Sequence, residues 1–118
     1  MDSKQALNPR VAVVTGGAMG IGAEVSGRLA KNGLRVLVAD IDEAAARKMA
    51  SQLCDKGWAA APLPMDVGRP ESIASAFSQV EKEYGRCDVL VNCAGIAKVF
   101  PFLEFPLENF AEIGRAHV

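Results

Sequence analysis

Thr15-Gly16-Gly17-Ala18-Met19-Gly20-Ile21-Gly22 follows the apolar run Val11-Ala12-Val13-Val14 and leads into apolar residues at helical spacing, Ile21, Val25 and Leu29. A strand that turns through glycines straight into a helix exposes backbone N–H groups at the positive end of the helix dipole, and such a bend seats phosphate. The glycines have separate tasks. Gly16 allows the tight turn, Gly20 removes a Cβ that would hold a pyrophosphate away, and Gly22 lets the first helical turn pack closely on the strand. Three residues separate Gly16 from Gly20 and one separates Gly20 from Gly22. This differs from the commoner Gly-x-Gly-x-x-Gly order, and taken alone the run also fits a flexible strand-to-helix loop.

Asp40 narrows the choice. It ends a second apolar run, Leu34-Arg35-Val36-Leu37-Val38-Ala39, and lies 18 residues beyond Gly22, close to the roughly 20-residue distance expected of a ribose-binding acid. A carboxylate there accepts hydrogen bonds from both adenosine ribose hydroxyls and repels a 2′-phosphate. Neither Lys nor Arg occupies Ala18, Met19 or Ile41, from which a cation could neutralise that phosphate. The expected cofactor is therefore NAD(H) over NADP(H). Asp40 could instead cap the next helix, but Asp42 fits the cap better, which leaves Asp40 free for the ribose.

Strand candidates begin near Val11, Arg35 and Ala59, a constant step of 24 residues, each followed by a helical stretch. This is a βαβ rhythm. Helices are predicted over 21–32, with Gly33 at the C′ position, and over 43–56, with Asp42 as cap and Gly57 as stop. A third starts at Pro70, carries Ile73, Phe77, Val80 and Tyr84 on one stripe, and closes at Gly85. Val89-Leu90-Val91 is continuously apolar, as in a parallel strand covered on both faces. Right-handed crossovers then order the strands 3-2-1-4, a doubly wound, Rossmann-type parallel α/β sheet. The glycine turn, Asp40, Asp66 and Asn92 all fall at or just beyond carboxyl ends of strands, where one crevice would collect them.

Composition bounds the function. At 118 residues, 50% hydrophobic and with formal net charge −1, the chain is expected to be one soluble unit with a modest core and no second domain. No basic cluster is present to bind a phosphate backbone, which argues against nucleic acid as a partner. No apolar stretch approaches bilayer length and the first ten residues are polar, so no membrane attachment and a cytoplasmic setting are expected. Cys54, Cys87 and Cys93 lack close metal-ligand spacing and read as reduced thiols, with no disulfide framework and no metal site.

From Arg10 to Ile113 the chain resembles the short-chain dehydrogenase/reductase family, on four separate segments. Thr15 to Gly22 is similar to the family's Thr-Gly-x-x-x-Gly-x-Gly cofactor motif, in which Gly16, Gly20, Ile21 and Gly22 are the expected binding positions, and Asp40 is similar to its NAD-selecting acid. Asp66-Val67 resembles the pair that contacts the adenine ring, and Asn92-Cys93-Ala94-Gly95 resembles the Asn-Asn-Ala-Gly element that steadies the sheet and borders the riboses. Cys93 stands where the family has its second Asn, which removes an amide side chain but leaves the backbone of Ala94 and Gly95. Taken singly, Asp66 also reads as a loop acid before a helix and Asn92 as an ordinary strand-ending residue. Their joint order and spacing favour the nucleotide reading.

The resemblance implies hydride transfer between nicotinamide C4 and an alcohol or carbonyl carbon, for instance of a 3-oxoacyl group, a sugar or a secondary alcohol. A Tyr would act as acid or base, a Lys would lower its pKa, and a Ser would orient the substrate oxygen. No residue here takes those catalytic roles: Tyr84 is followed four places on by Asp88 and sits on a core stripe, while Asn109 comes too early to match the family's relay Asn, whose position falls at His117. The family's Ser and Tyr-x-x-x-Lys are expected further downstream, in a longer parent acting on a small-molecule substrate as a homo-oligomer. The alternatives are an NAD-binding sensor or regulator without redox chemistry, and a translated fragment with no stable fold.

The domain reading is a tail over 1–9, a partial NAD-binding domain over 10–113, and a non-native tail over 114–118. Ile113-Gly114-Arg115-Ala116-His117-Val118 breaks a helix pattern that begins near Leu107, and it is the string encoded by one frame of a common sequencing-library adapter. The competing reading is a native short C-terminus. Phe100, Phe102, Leu103 and Phe105 are expected to pack as loop core.

Overall fold

The computed structural model describes residues 9–94. Its elements in order are β1 (Val11–Thr15), α1 (Gly20–Lys31), β2 (Arg35–Asp40), α2 (Glu43–Asp55), β3 (Ala60–Pro64), α3 (Pro70–Tyr84) and β4 (Val89–Asn92). All strands pair in parallel, in the order β3-β2-β1-β4. The predicted topology is therefore the observed one, with helix ends displaced by a single residue. Gly95, the expected helix near Leu107, the aromatic segment around Phe100 and the tail 114–118 lie outside the described residues.

Alternation along each strand divides the core into two layers. Val11 and Val13 of β1, Leu37 and Ala39 of β2, and Leu63 of β3 pack with Ile73, Ala76, Phe77 and Val80 of α3. Val14, Val36 and Val38 point the other way, onto Ala30 of α1 and Ala46, Ala50 and Leu53 of α2. Both faces of β1 and β2 are thus covered, which is why these strands read as unbroken apolar runs. Val89, Leu90 and Val91 of β4 are only half-buried, against the expectation of a fully covered strand. Pro62 and Pro64, each lacking an N–H, are tolerated because β3 forms an edge of the sheet among the described strands.

The buried face of α1 is not the anticipated stripe. Gly22, Ser26 and Ala30 are buried, Val25 and Leu29 flank them, and Ile21 is exposed. Small residues at i, i+4 and i+8 let the helix axis approach the sheet closely, so the large apolar side chains end up beside the contact line. The remaining punctuation follows expectation. Asp42 accepts a hydrogen bond from Ala45 N–H at 3.0 Å as the cap of α2, and Pro70 opens α3. Gly33, Gly57 and Gly85 follow the three helices with positive φ.

At the amino end of the sheet, Asp88 ties β4 to β1. Its carboxylate accepts Val11 N–H at 2.8 Å and a two-pronged contact from Arg86 at 2.8 and 2.7 Å, while its own N–H donates to Val11 C=O at 2.8 Å. The Arg86 hydrogen bond holds this carboxyl below its ordinary value, with Val11 N–H adding to the effect. A carboxyl lowered in the folded state contributes stability above its unfolded pKa and loses that contribution as pH falls through the lowered value. Urea midpoints measured across the acid range should accordingly drop less steeply in Asp88→Asn than in the wild-type chain.

Candidate functional site

The register places Thr15 of β1 opposite Ala39 of β2 and opposite Asn92 of β4, and Asp40 opposite Pro64. The carboxyl ends of all four strands thus form one row, and the glycine turn rises from its middle.

Gly16 has φ +64°, and a Cβ there would lie 2.7 Å from Ala94 Cα and 2.8 Å from Cys93 O. The chain leaving β4 crosses directly over this residue, which makes Gly16 necessary for a close approach as well as for the turn. Gly20, with φ +57°, has nothing within 4 Å of the Cβ position and faces open space. A Cβ on Gly22 would collide with the Gly16 carbonyl. The close packing expected at Gly22 is made against Gly16 and Gly17, the turn that leaves β1. Ser26, fully buried, donates its hydroxyl to Gly17 C=O at 3.2 Å.

The bend leads into an uncapped helix. Met19 at the N-cap offers no side-chain hydrogen bond, and the first turn carries no acid. Ala23 is the first amide of α1 to find a backbone acceptor, the Met19 carbonyl at 3.2 Å. Among the described residues, the N–H groups of Gly20, Ile21 and Gly22 meet no backbone acceptor, as helix geometry leaves the first donors at an N-terminus, and an anion placed there would meet donors and dipole together.

Asp40 leaves the cap of α2 to Asp42, as expected, and its carboxylate takes two other amides. Its Oδ2 accepts Ala18 N–H at 3.3 Å and its Oδ1 accepts Asp42 N–H at 3.0 Å. The Asp42 amide reaches the carboxylate from the turn into α2, two residues on, and the Ala18 amide from the glycine turn beside the end of β2. Each oxygen keeps a further lone pair for a ligand hydroxyl. Met19 and Ile41, both exposed, flank this acid, and no cation stands at Ala18, Met19 or Ile41.

Asp66 has the plainer of its two roles in hand. Its Oδ1 accepts Gly68 N–H at 2.9 Å, its carbonyl accepts Arg69 N–H at 3.1 Å, and its N–H donates to Ser72 Oγ at 2.9 Å, which together shape the turn into α3. Val67, half-buried, lines a small, largely apolar recess with Met65, Ile73, Phe77, Leu90, Thr15 and Asn92.

Thr15, whose side chain the motif leaves without a role, is a junction between β1 and β4 in the structure. Its buried hydroxyl donates to Asn92 Oδ1 at 2.7 Å and accepts Ala94 N–H at 3.4 Å, while its carbonyl accepts Cys93 N–H at 3.0 Å. The available signal was a hydroxyl residue immediately before the glycines. Cys93 packs against the layer beneath α1 and α2 without using an amide side chain. Tyr84 lies against the α3 core layer with Arg35 stacked 5.1 Å from its ring centre, a packing role far from the carboxyl-end row.

A parallel sheet in the order 3-2-1-4, with a glycine bend and a strand-ending acid at its carboxyl edge, is a Rossmann-type fold. Residues 10–115 match the short chain dehydrogenase family, and the chain belongs to that family. It is 41% identical over 107 residues to a Bacillus subtilis protein named Uncharacterized oxidoreductase YxjF, covering 91% of this chain and 42% of that one. It is 36% identical over 104 residues to D-threitol dehydrogenase of Mycolicibacterium smegmatis, covering 88% of this chain and 40% of the relative. Among solved structures, a metagenomic short-chain oxidoreductase in complex with NADP superposes with a TM-score of 0.78 at 30% identity, covering 95% of this chain and 56% of that one. The chain thus spans about four-tenths of the length of these two curated relatives.

Proposed function

We propose that the carboxyl edge of this sheet binds NAD(H), and that the protein is an oxidoreductase moving a hydride between nicotinamide and an alcohol or carbonyl carbon. The observation that carries the reading is one bend with two complementary surfaces: N–H donors at Gly20, Ile21 and Gly22 that meet no backbone acceptor among the described residues on one side, and the Asp40 carboxylate on the other. The open space over Gly20 fits a group that needs close contact with backbone. Asp40 receives the adenosine ribose hydroxyls and disfavours a 2′-phosphate by like-charge repulsion. The NADP held by one similar structure is thus not the coenzyme proposed for this chain.

When bound, the coenzyme gives or takes the hydride at nicotinamide C4. The residues of this chain bind and orient it. Val67 and Asp66 border the adenine side, while Asn92, held by Thr15, sets the β4 end so that the backbone of Ala94 lies over the turn. Gly95, the next residue in the chain, is proposed as a further cofactor-binding position on the strength of the sequence motif. The substrate is a small hydroxyl- or carbonyl-bearing molecule, in line with D-threitol dehydrogenase among the relatives. A homo-oligomer working in the cytoplasm completes the reading; among the described residues no helix is long and apolar enough to cross a membrane.

Isothermal titration of the chain with NAD and with NADP tests the proposal. NAD should bind with measurable heat, and NADP about tenfold or more weakly. Equal affinities would remove the coenzyme choice, and no binding of either would remove the nucleotide reading altogether.

A further inference from the structure

We infer that the Asp40 carboxylate also holds the glycine turn in its binding shape, so that the phosphate seat and the ribose acceptor form one coupled unit. The inference rests on the nucleotide reading above and adds to Asp40 a positioning role toward a part of the ligand that it does not touch.

The turn is fastened to the end of β2 by two consecutive amides. Gly17 N–H donates to Ala39 C=O at 3.2 Å, and Ala18 N–H donates to Asp40 Oδ2 at 3.3 Å. The first bond is backbone to backbone and survives any substitution at position 40. The second depends on the side chain. Asp40 is itself braced from behind by Asp42 N–H at 3.0 Å on its other oxygen. Gly16 and Gly20, both at positive φ, bound the turn and leave it with more backbone freedom than any other residue type would. Ser26 secures Gly17 from below, but Met19 is exposed and makes no capping bond. Among the described residues, Asp40 is therefore the one side chain that fixes Ala18, the residue two places before α1. An unfastened turn would have to be ordered when a diphosphate binds, and that cost would appear as lost affinity.

The sign of the effect separates this role from charge alone. A carboxylate beside a phosphate seat repels an anionic ligand, so simple removal of the charge would tighten binding of a diphosphate. Loss of the fastening would weaken it. The informative ligand is 2′,3′-dideoxy-ADP, a diphosphate nucleotide with neither ribose hydroxyl, titrated calorimetrically beside NAD into the wild-type chain, Asp40→Ala and Asp40→Asn.

Asp40→Ala should bind dideoxy-ADP about three- to tenfold more weakly than wild type, the loss of one ordering hydrogen bond. Asp40→Asn offers a single acceptor oxygen to the two amides, Ala18 and Asp42 N–H, that share the carboxylate, and with the charge removed in both variants it should bind dideoxy-ADP more tightly than Asp40→Ala. Hydrogen exchange at the Ala18 amide should quicken in Asp40→Ala. Should that variant fail to fold by circular dichroism, Asp40→Ser, whose hydroxyl stops short of Ala18, carries the same expectations. Unchanged or tighter dideoxy-ADP binding in Asp40→Ala, or in Asp40→Ser where that variant stands in for it, with NAD binding weakened, would overturn the coupling and leave the nucleotide reading intact. A wild-type chain that binds neither ligand would overturn both.

Discussion

Gly22→Ala should destabilise the chain by about 3 kcal/mol, an overpacking cost, and abolish detectable NAD binding. The added methyl would collide with the Gly16 carbonyl, a backbone group with no rotamer to move aside. Gly16 cannot retreat, since Ala94 and Cys93 lie against its other side at 2.7 to 2.8 Å from the Cβ position. The turn would have to open, and with it the relation between the α1 donors and Asp40. Gly27 of the same helix supplies the control, because a Cβ there meets only Leu53 Cδ2 at 3.9 Å. Gly27→Ala should be neutral or stabilising by up to about 1 kcal/mol, the helix-propensity difference. Urea denaturation of both variants with parallel calorimetry measures the contrast; equal stabilities would refute the account of the turn.

Leu37→Ala should cost about 2–5 kcal/mol, the range for truncating a buried leucine. Leu37 is 1% exposed on an interior strand and faces the layer beneath α3, where Val13, Phe77 and Val80 belong to the same cluster. Backbone pairing on both sides of β2 prevents the sheet from closing over the gap. Leu90 packs at the margin of that layer and is half-buried, so Leu90→Ala should cost clearly less. Equilibrium unfolding gives both values, and a Leu37 variant no weaker than the Leu90 variant would contradict the assignment of the core. These effects are large enough to read against the few kcal/mol by which small domains are stable.

Much of the architecture was legible because it is written in local chemistry. The cap at Asp42, the first-turn proline Pro70, the stops at Gly33, Gly57 and Gly85, and the apolar runs of β1 and β2 each depend on a few adjacent residues. The topology followed from crossover handedness, a rule that needs no side-chain detail. Less legible was which face of α1 would be buried, because hydrophobicity pointed to Ile21, Val25 and Leu29 while close approach favoured Gly22, Ser26 and Ala30. Size outweighed hydrophobicity at that contact.

By itself, the sequence determined the alternation of elements, the parallel 3-2-1-4 sheet and the gathering of the glycine turn, Asp40, Asp66 and Asn92 at one edge. Only the tertiary structure decided what each of these groups already holds. It put the Ala18 amide on Asp40, closed Asp66 into a turn with Gly68, made Thr15 the junction to β4, and set Gly22 against the Gly16 carbonyl. The reason is physical. Element identity arises from periodicity and capping within a few residues, whereas a hydrogen bond between residues 15 and 92 depends on where two strands end relative to each other in space.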